Sequence, residues 1–149
     1  MKVHEACSSP PVCCSAEATV AEVAHLMREK HVGAIIVTKG TKQDDKPIGI
    51  LTDRDIAVSV VAPQLDPSAI TAGDIAQRQL VSAAEDDDLF AALKRMRTKG
   101  VRRLPVINAK GKVSGLLAMD DIMEVLVEEM NQIVKLVARE QSKEVVTRK

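Results

Sequence analysis

The chain has 149 residues, 46% of them hydrophobic, which is enough for one sizeable core, and its 21 Lys and Arg balance its 21 Asp and Glu. A chain without net charge lacks the field that draws proteins onto nucleic acid or anionic membranes, so neither is expected as a partner. No apolar run reaches the roughly 18 residues of a membrane-spanning helix, and no signal peptide opens the sequence, so we expect a cytoplasmic protein.

Three cysteines lie near the start of the chain: Cys7, Cys13 and Cys14. Their odd number and the strain of joining two neighbours argue against a disulfide framework and favour reduced thiols. Together with His4 they suggest a metal or thiol sensor as one alternative, but the C-x-x-C and H-x-x-H spacings of metal sites are missing. We therefore predict no metal site.

In the first half of the chain, the spacing of the hydrophobic residues predicts strands and helices in the order β-α-β-β-α. Thr19 and Glu22 form a capping box that opens the first helix, whose apolar residues recur at helical spacing. The second helix begins at Thr52, directly after an apolar run. The predicted strands cover residues 11–14, 34–38 and 48–51, and the loop of the predicted hairpin covers residues 39–46.

The second half of the chain repeats this pattern. Residues 16–37 superpose on residues 85–106 at one constant offset, and residues 49–56 superpose on residues 115–122 at a slightly smaller one, because the second hairpin loop is shorter. The second copy predicts strands at residues 80–83, 104–107 and 113–117, and helices that begin at Asp88 and Ala118.

Two copies of this unit predict an α/β fold (α+β), in which the copies pack about a pseudo-twofold axis because each is too small to bury its own sheet. We divide the chain into a first repeat (1–62), a linker (63–73), a second repeat with an extended C-terminal helix (74–140) and a polar, frayed tail (141–149). The final helix, expected to end near residue 140, is amphipathic, which is typical either of packing on the chain's own core or of self-association.

The residues from Gly49 to Asp55, with the sequence GILTDRD, end a strand and begin a helix at a hydroxyl residue. Such a turn can bind phosphate through unpaired helix amides and the Thr52 hydroxyl, and Asp55 on the same helical face could accept hydrogen bonds from a ribose diol. Thr52 and Asp55 also suit an ordinary helix cap, so spacing alone leaves both interpretations open.

The motifs of common catalytic sites are missing from the sequence. It contains no G-x-x-x-x-G-K-[ST] loop, G-x-S-x-G elbow or H-E-x-x-H helix, and His25 and His31 fall within and at the end of the first helix. We therefore expect a protein that is not an enzyme.

Two β-α-β-β-α copies, each ending in G-h-x-T-x-x-D or a relative, resemble the CBS domain family in its tandem arrangement, the Bateman module. Residues 32–37 and 101–107 match the family's core strand, the second with Leu104-Pro105-Val106, and residues 74–76 resemble the lead-in to a second copy. The resemblance covers nearly the whole chain. It implies that AMP, ADP, ATP or S-adenosylmethionine binds between the repeats as a regulatory ligand, with no required cofactor.

The resemblance also implies roles for individual residues. Thr52 would hold phosphate and Asp55 the ribose, while Arg102 and Arg103 of the opposite copy would supply positive charge to the phosphates or else form a solvated face. The further cleft residues that the family implies are Ser8 and Cys13 on the adenine side, and Gly33 and Ala34, which are small where the base approaches the backbone.

The second copy departs from the family pattern because Asp121 is kept while Ala118 replaces the hydroxyl residue. We therefore expect one good nucleotide site and a weak or empty second one. The implied function is a stand-alone sensor that forms a homodimer and regulates a separate, unidentified protein. The alternative is an interaction scaffold of the same fold that binds no nucleotide.

Overall fold

The computed structural model describes residues 1–40 and 46–147. Residues 41–45, which belong to the predicted loop of the first hairpin, lie outside the described residues. The described residues form two sheets of three strands each, and the strands of each sheet lie side by side in chain order. This mixed α+β architecture confirms the predicted fold class.

The first sheet is built from the first β-α-β-β-α copy. Its first two strands run parallel because a helix connects them, and its last two form an antiparallel hairpin. The elements are β1 (Cys13–Ser15), α2 (Val20–Lys30), β2 (Ala34–Thr38), β3 (Pro47–Thr52) and α3 (Asp53–Ile56), which continues as a π-helical turn over Ala57–Val61.

The second sheet repeats the same topology, with one parallel and one antiparallel pair. Its elements are β4 (Ala83–Ala84), α5 (Leu89–Lys99), β5 (Arg103–Ile107), β6 (Val113–Ala118) and α6 (Met119–Thr147). The paired helices α2 and α5 have 11 residues each, and the hairpin strands have 5 and 6 residues in both copies. The repeat seen in the sequence is therefore a repeat of structure.

The two long connecting helices begin where the sequence predicts, and α2 also ends at the predicted His31. The Thr19 side chain accepts a hydrogen bond from the Glu22 amide at 3.2 Å, and the Asp88 side chain accepts one from the Ala91 amide at 3.0 Å. Gly100 ends α5 with φ of 66°, the left-handed conformation that suits glycine. Of the apolar faces predicted for these helices, Val20, Val23 and Met27 of α2 and Leu89, Ala92 and Met96 of α5 are buried, Leu93 is half-buried, and Ala24 is exposed.

The segments that precede β1 and β4 each pack against the opposite repeat. In the first lead-in (residues 2–9), helix α1 (Val3–Ala6) inserts the fully buried Val3 into the core of the second repeat. In the second lead-in (residues 71–79), helix α4 (Ala72–Ile75) inserts the fully buried Ala72 into the core of the first. The two repeats are therefore joined by an exchange of lead-ins as well as by the linker.

Each lead-in crosses a hairpin strand at a glycine. Ser8 pairs with Leu116 and Gln77 pairs with Ile50, both in antiparallel bridges. A Cβ atom at Gly49 would lie 3.0 Å from the Gln77 carbonyl oxygen, and one at Gly115 would lie 2.7 Å from Cys7 Sγ. The glycine at the start of the G-h-x-T-x-x-D pattern is therefore needed because another backbone passes close to it.

Several element boundaries differ from those predicted. The first strands β1 and β4 begin at Cys13 and Ala83, later than the predicted residues 11 and 80, because pairing with β2 and β5 starts only there. Helix α6 continues to Thr147, beyond the expected end near residue 140, so the described part of the expected polar tail is helical. Among the helices within residues 1–40 and 46–147, none is both long and apolar enough to cross a lipid bilayer.

Candidate functional site

A polar cleft of about 310 Å³ lies where the two repeats meet. We call it the first cleft. Its walls come from the end of β3 and the start of α3, from the second lead-in with the residues that follow it, and from the segment after α5 that contains Arg102 and Arg103. Thr52, Asp55, Arg102 and Arg103, which lie far apart in sequence, thus line one cavity.

Thr52 and Asp55 hold each other in a reciprocal cap at the start of α3. Asp55 Oδ2 accepts hydrogen bonds from the Thr52 amide and the Thr52 hydroxyl, both at 2.8 Å, while the Asp55 amide donates to Thr52 Oγ1 at 3.2 Å. Asp55 Oδ1 accepts a hydrogen bond from Gln77 Nε2 at 3.2 Å. One carboxylate oxygen therefore fixes the turn, and the other lies on the side of the second lead-in.

Arg102 and Arg103 give the opposite wall positive charge. Arg102 is exposed and Arg103 is half-buried. In the described parts of the chain, the ion pairs join Glu29 with Lys30 and Asp87 with Arg95, and neither involves these two arginines. Their guanidinium groups are therefore available to an anion in the first cleft.

Five other residues expected at the ligand site do not line the first cleft. Ser8 pairs with Leu116 of the second sheet, and Asp121 lies at the start of α6. Cys13 lies in β1, where it pairs with Ile36 of β2, and Ala34 is buried at the start of β2. Gly33 lies against Asp53, because a Cβ atom there would be 3.0 Å from Asp53 Oδ2.

The corresponding position in the second repeat keeps only part of the cap. Asp121 Oδ2 accepts a hydrogen bond from the Ala118 amide at 2.7 Å, as Asp55 does from Thr52, but Ala118 has no hydroxyl to complete the pair. The cavity beside it, which we call the second cleft, measures about 80 Å³ and is lined by Ala118, Met119, Asp120 and the two arginines. The expectation of a weak or empty second site stays a prediction.

Within the described residues, none of the three cysteines forms a disulfide, and each is partly buried. Burial raises the pKa of Cys13 to about 11, and burial together with the neighbouring Cys13 raises the pKa of Cys14 to about 11. Burial and the nearby Asp121 carboxylate also raise the pKa of Cys7. Residues 1–40 and 46–147 contain no group of three or more His, Cys, Asp or Glu placed to hold a metal ion.

Sequence reasoning missed four polar residues of the first cleft, namely Asp53, Arg54, Gln77 and Gln79. The two glutamines follow α4 on the second lead-in, which crosses to the first repeat through its bridge with Ile50. The available signal was the repeat itself. The constant offset between the copies relates Ser8 to Gln77, so a cleft role considered for one position should have been considered for the other.

The fold and the first cleft define a module of two β-α-β-β-α repeats whose polar cavity is shared between them. The chain belongs to the CBS domain family, which matches residues 3–62 and 72–128. This match confirms the predicted tandem pair.

Two relatives illustrate the similarity in sequence. An uncharacterized protein of Methanopyrus kandleri is 36% identical over 107 residues, which cover 72% of this chain and 53% of that protein, so the chain spans about half of its length. Hypoxic response protein 1 of Mycobacterium tuberculosis is 33% identical over 116 residues, 78% of each chain.

Solved structures support the same fold. The crystal structure of Hypoxic Response Protein I, which contains two coordinated zinc ions, has a TM-score of 0.72 and 29% identity, covering 83% of this chain and 98% of that one. A CBS domain protein from Pyrobaculum aerophilum, complexed with AMP, has a TM-score of 0.72 and 28% identity, covering 81% and 89% of the two chains.

Proposed function

We propose that this chain is a regulatory sensor that binds an adenosine-containing ligand, namely AMP, ADP, ATP or S-adenosylmethionine, in the first cleft. One observation carries the proposal. Thr52 and Asp55 of one repeat and Arg102 and Arg103 of the other line the same cavity of about 310 Å³. CBS domains are generally regulatory and non-catalytic, and the structure of a relative with the same fold was solved in complex with AMP.

The chemistry of the cleft favours a nucleotide with one polar end and one anionic end. Asp55 Oδ1 can accept hydrogen bonds from a ribose diol, either beside Gln77 or in its place, because Oδ2 is already used by the helix cap. Arg102 and Arg103 can donate to phosphate oxygens, and Arg54 adds a further cation to the same cavity. The ligand would therefore connect the two repeats.

The same charges favour nucleotides over S-adenosylmethionine. AMP, ADP and ATP are anions, whereas S-adenosylmethionine has a cationic sulfonium and no phosphate. The first cleft is lined by three arginines and two aspartates. We therefore expect AMP, ADP or ATP to bind more tightly, and we expect that affinity to fall as salt is added.

Calorimetric titration with AMP, ATP and S-adenosylmethionine tests this function through Asp55→Asn. Asparagine keeps one oxygen for the cap but loses the charged acceptor, so AMP affinity should fall by roughly 10- to 100-fold, as expected for a hydrogen bond to a charged group. The matched control is Asp74→Asn, because Asp74 Oδ2 caps the Thr71 amide at 2.9 Å in α4 and does not line the cleft.

Selective loss of AMP binding in Asp55→Asn, with normal binding in Asp74→Asn, would support the proposal. Equal affinities in all three proteins would place the ligand elsewhere and reject this site. A folded wild-type protein that binds none of the ligands would favour the second candidate function, an interaction scaffold. The observation in favour of the scaffold is the exposed apolar face of α6, and in either case we propose a homodimer that acts on a separate protein in the cytoplasm.

A further inference from the structure

Helix α6 carries a long exposed apolar stripe. Every residue from Leu126 to Thr147 is exposed, and residues 129–147 lie beyond the part of the chain that the CBS domain family matches. The side chains of the stripe are between 43% and 61% exposed. They are Met123, Leu126, Val127, Met130, Ile133, Val134 and Val137.

The spacing of the stripe aligns it along one face of the helix. From Met123 to Val137 its members recur at spacings of three and four residues, with Leu126–Val127 and Ile133–Val134 as adjacent pairs, over a length of about 21 Å. Glu124, Glu128 and Lys135 lie on the opposite side. Because an isolated helix is only marginally stable in water, a helix that projects with such a face is best explained by a partner that covers it.

The distribution of charge along α6 favours a second copy in the antiparallel direction as the partner. The first eleven residues contain five acidic residues and no basic one, whereas the rest of the described helix contains three basic and two acidic residues. A parallel second copy would set five carboxylates beside five others. An antiparallel copy sets the acidic half beside the half that contains Lys135, Arg139 and Lys143, and it also separates the two globular bodies.

We propose that two copies of this chain associate through antiparallel pairing of α6, with a two-fold axis at Met130. In this register Met123 of one copy faces Val137 of the other, and Leu126 faces Val134, so both stripes are covered along their full length. The stripe on α6 is then the contact surface of the proposed homodimer, and it does not depend on the proposed nucleotide site.

The same register accounts for a second apolar feature. Met119 continues the stripe into a groove of about 650 Å³ that is lined by Phe90 and Leu93 of α5. Phe90 is 53% exposed. With the axis at Met130, the end of the second helix, where Val145 and Val146 are exposed, extends past Met119 toward this groove. The groove and the stripe form one continuous surface for one partner helix.

Analytical ultracentrifugation of the full chain tests the surface. The molar mass obtained for the wild-type protein should be twice the 16.1 kDa of one chain. Val134→Glu places a charge in the stripe of each copy and should raise the dissociation constant on the order of a thousand-fold. Gln132→Glu, on the opposite side of the helix, is the matched control and should remain dimeric. A monomeric wild-type protein, or a dimer unaffected by Val134→Glu, would overturn the proposal.

Disulfide trapping tests the direction of pairing. Met123→Cys and Val137→Cys are prepared as separate proteins, one carrying a mass tag, and oxidised alone and after mixing, with the wild-type protein as control for its own cysteines. Antiparallel pairing predicts a cross-link only in the mixture, because like positions then lie about 21 Å apart. Cross-linking of either variant with itself would overturn the antiparallel register.

Titration of Val134→Glu with AMP separates this proposal from the nucleotide proposal. Because residue 134 does not line the first cleft, loss of the dimer with retained AMP binding supports the α6 surface alone. A wild-type dimer that dissociates in Val134→Glu but binds no nucleotide supports the α6 surface and rejects the nucleotide site.

Discussion

Restoring a hydroxyl at the second cleft by Ala118→Thr should stabilise the protein. Three hydrogen bonds join Thr52 and Asp55 in the first repeat, but only the bond from the Ala118 amide to Asp121 remains in the second. A threonine at residue 118 would supply an acceptor for the Asp121 amide and a donor for its carboxylate. Residue 118 is half-buried beside a cavity of about 80 Å³, so there is room for the two added heavy atoms.

The expected gain follows from the energies of helix caps. Serine, threonine or aspartate at this position is worth about 0.5–2 kcal/mol over alanine, so Ala118→Thr should raise the free energy of unfolding by about 1 kcal/mol and Tm by about 2–4 °C. The reciprocal variant Thr52→Ala should cost a similar amount. Both are measured by urea and thermal unfolding followed by circular dichroism. A loss of stability in Ala118→Thr would refute the view that the two turns are equivalent.

Two further predictions concern packing and pH. Gly115→Ala should destabilise the fold by about 1–3 kcal/mol, because the new Cβ would lie 2.7 Å from Cys7 Sγ, and the added change Cys7→Ala should recover part of that loss in urea unfolding. The pKa of Asp87 is lowered by a hydrogen bond from the Ala84 amide and by Arg95, so its contribution to stability is present above the ordinary carboxyl pKa of about 3.9 and is lost as pH falls through the lower folded-state pKa. In urea unfolding, the free energy of unfolding of Asp87→Asn should fall less between about pH 5 and pH 2 than that of the wild type. An equal fall in the two proteins would contradict this prediction.

The helices and hairpins were predictable because their signals are local. The apolar face of α2 repeats at helical spacing, its cap lies at Thr19 and Glu22, and the hairpin strands β2 and β5 contain uninterrupted apolar runs over residues 34–37 and 104–107. The lead-ins were not predictable in this way. Their positions depend on pairing with a strand of the opposite repeat, which leaves no periodicity within the lead-in itself.

The same distinction applies to the first cleft. Thr52 and Asp55 stand out because a cap and a strand end coincide at one short segment. Gln77 has no local pattern, and its contact with Asp55 arises only because the second lead-in crosses at Gly49. A glycine that looked like part of a phosphate-binding turn is explained structurally by that crossing.

The difference between the two clefts must come from side chains, because the scaffold is duplicated. The repeats have helices and strands of equal length, and each turn keeps an aspartate that caps the backbone of the preceding strand. At the offset that relates α2 to α5, Gly33 and Ala34 occupy the positions of Arg102 and Arg103. The first repeat therefore supplies the Thr52 hydroxyl, and the second supplies Arg102 and Arg103, which line both cavities. Of the two clefts, the first combines a hydroxyl with these two cations, so we predict one anion site rather than a symmetric pair.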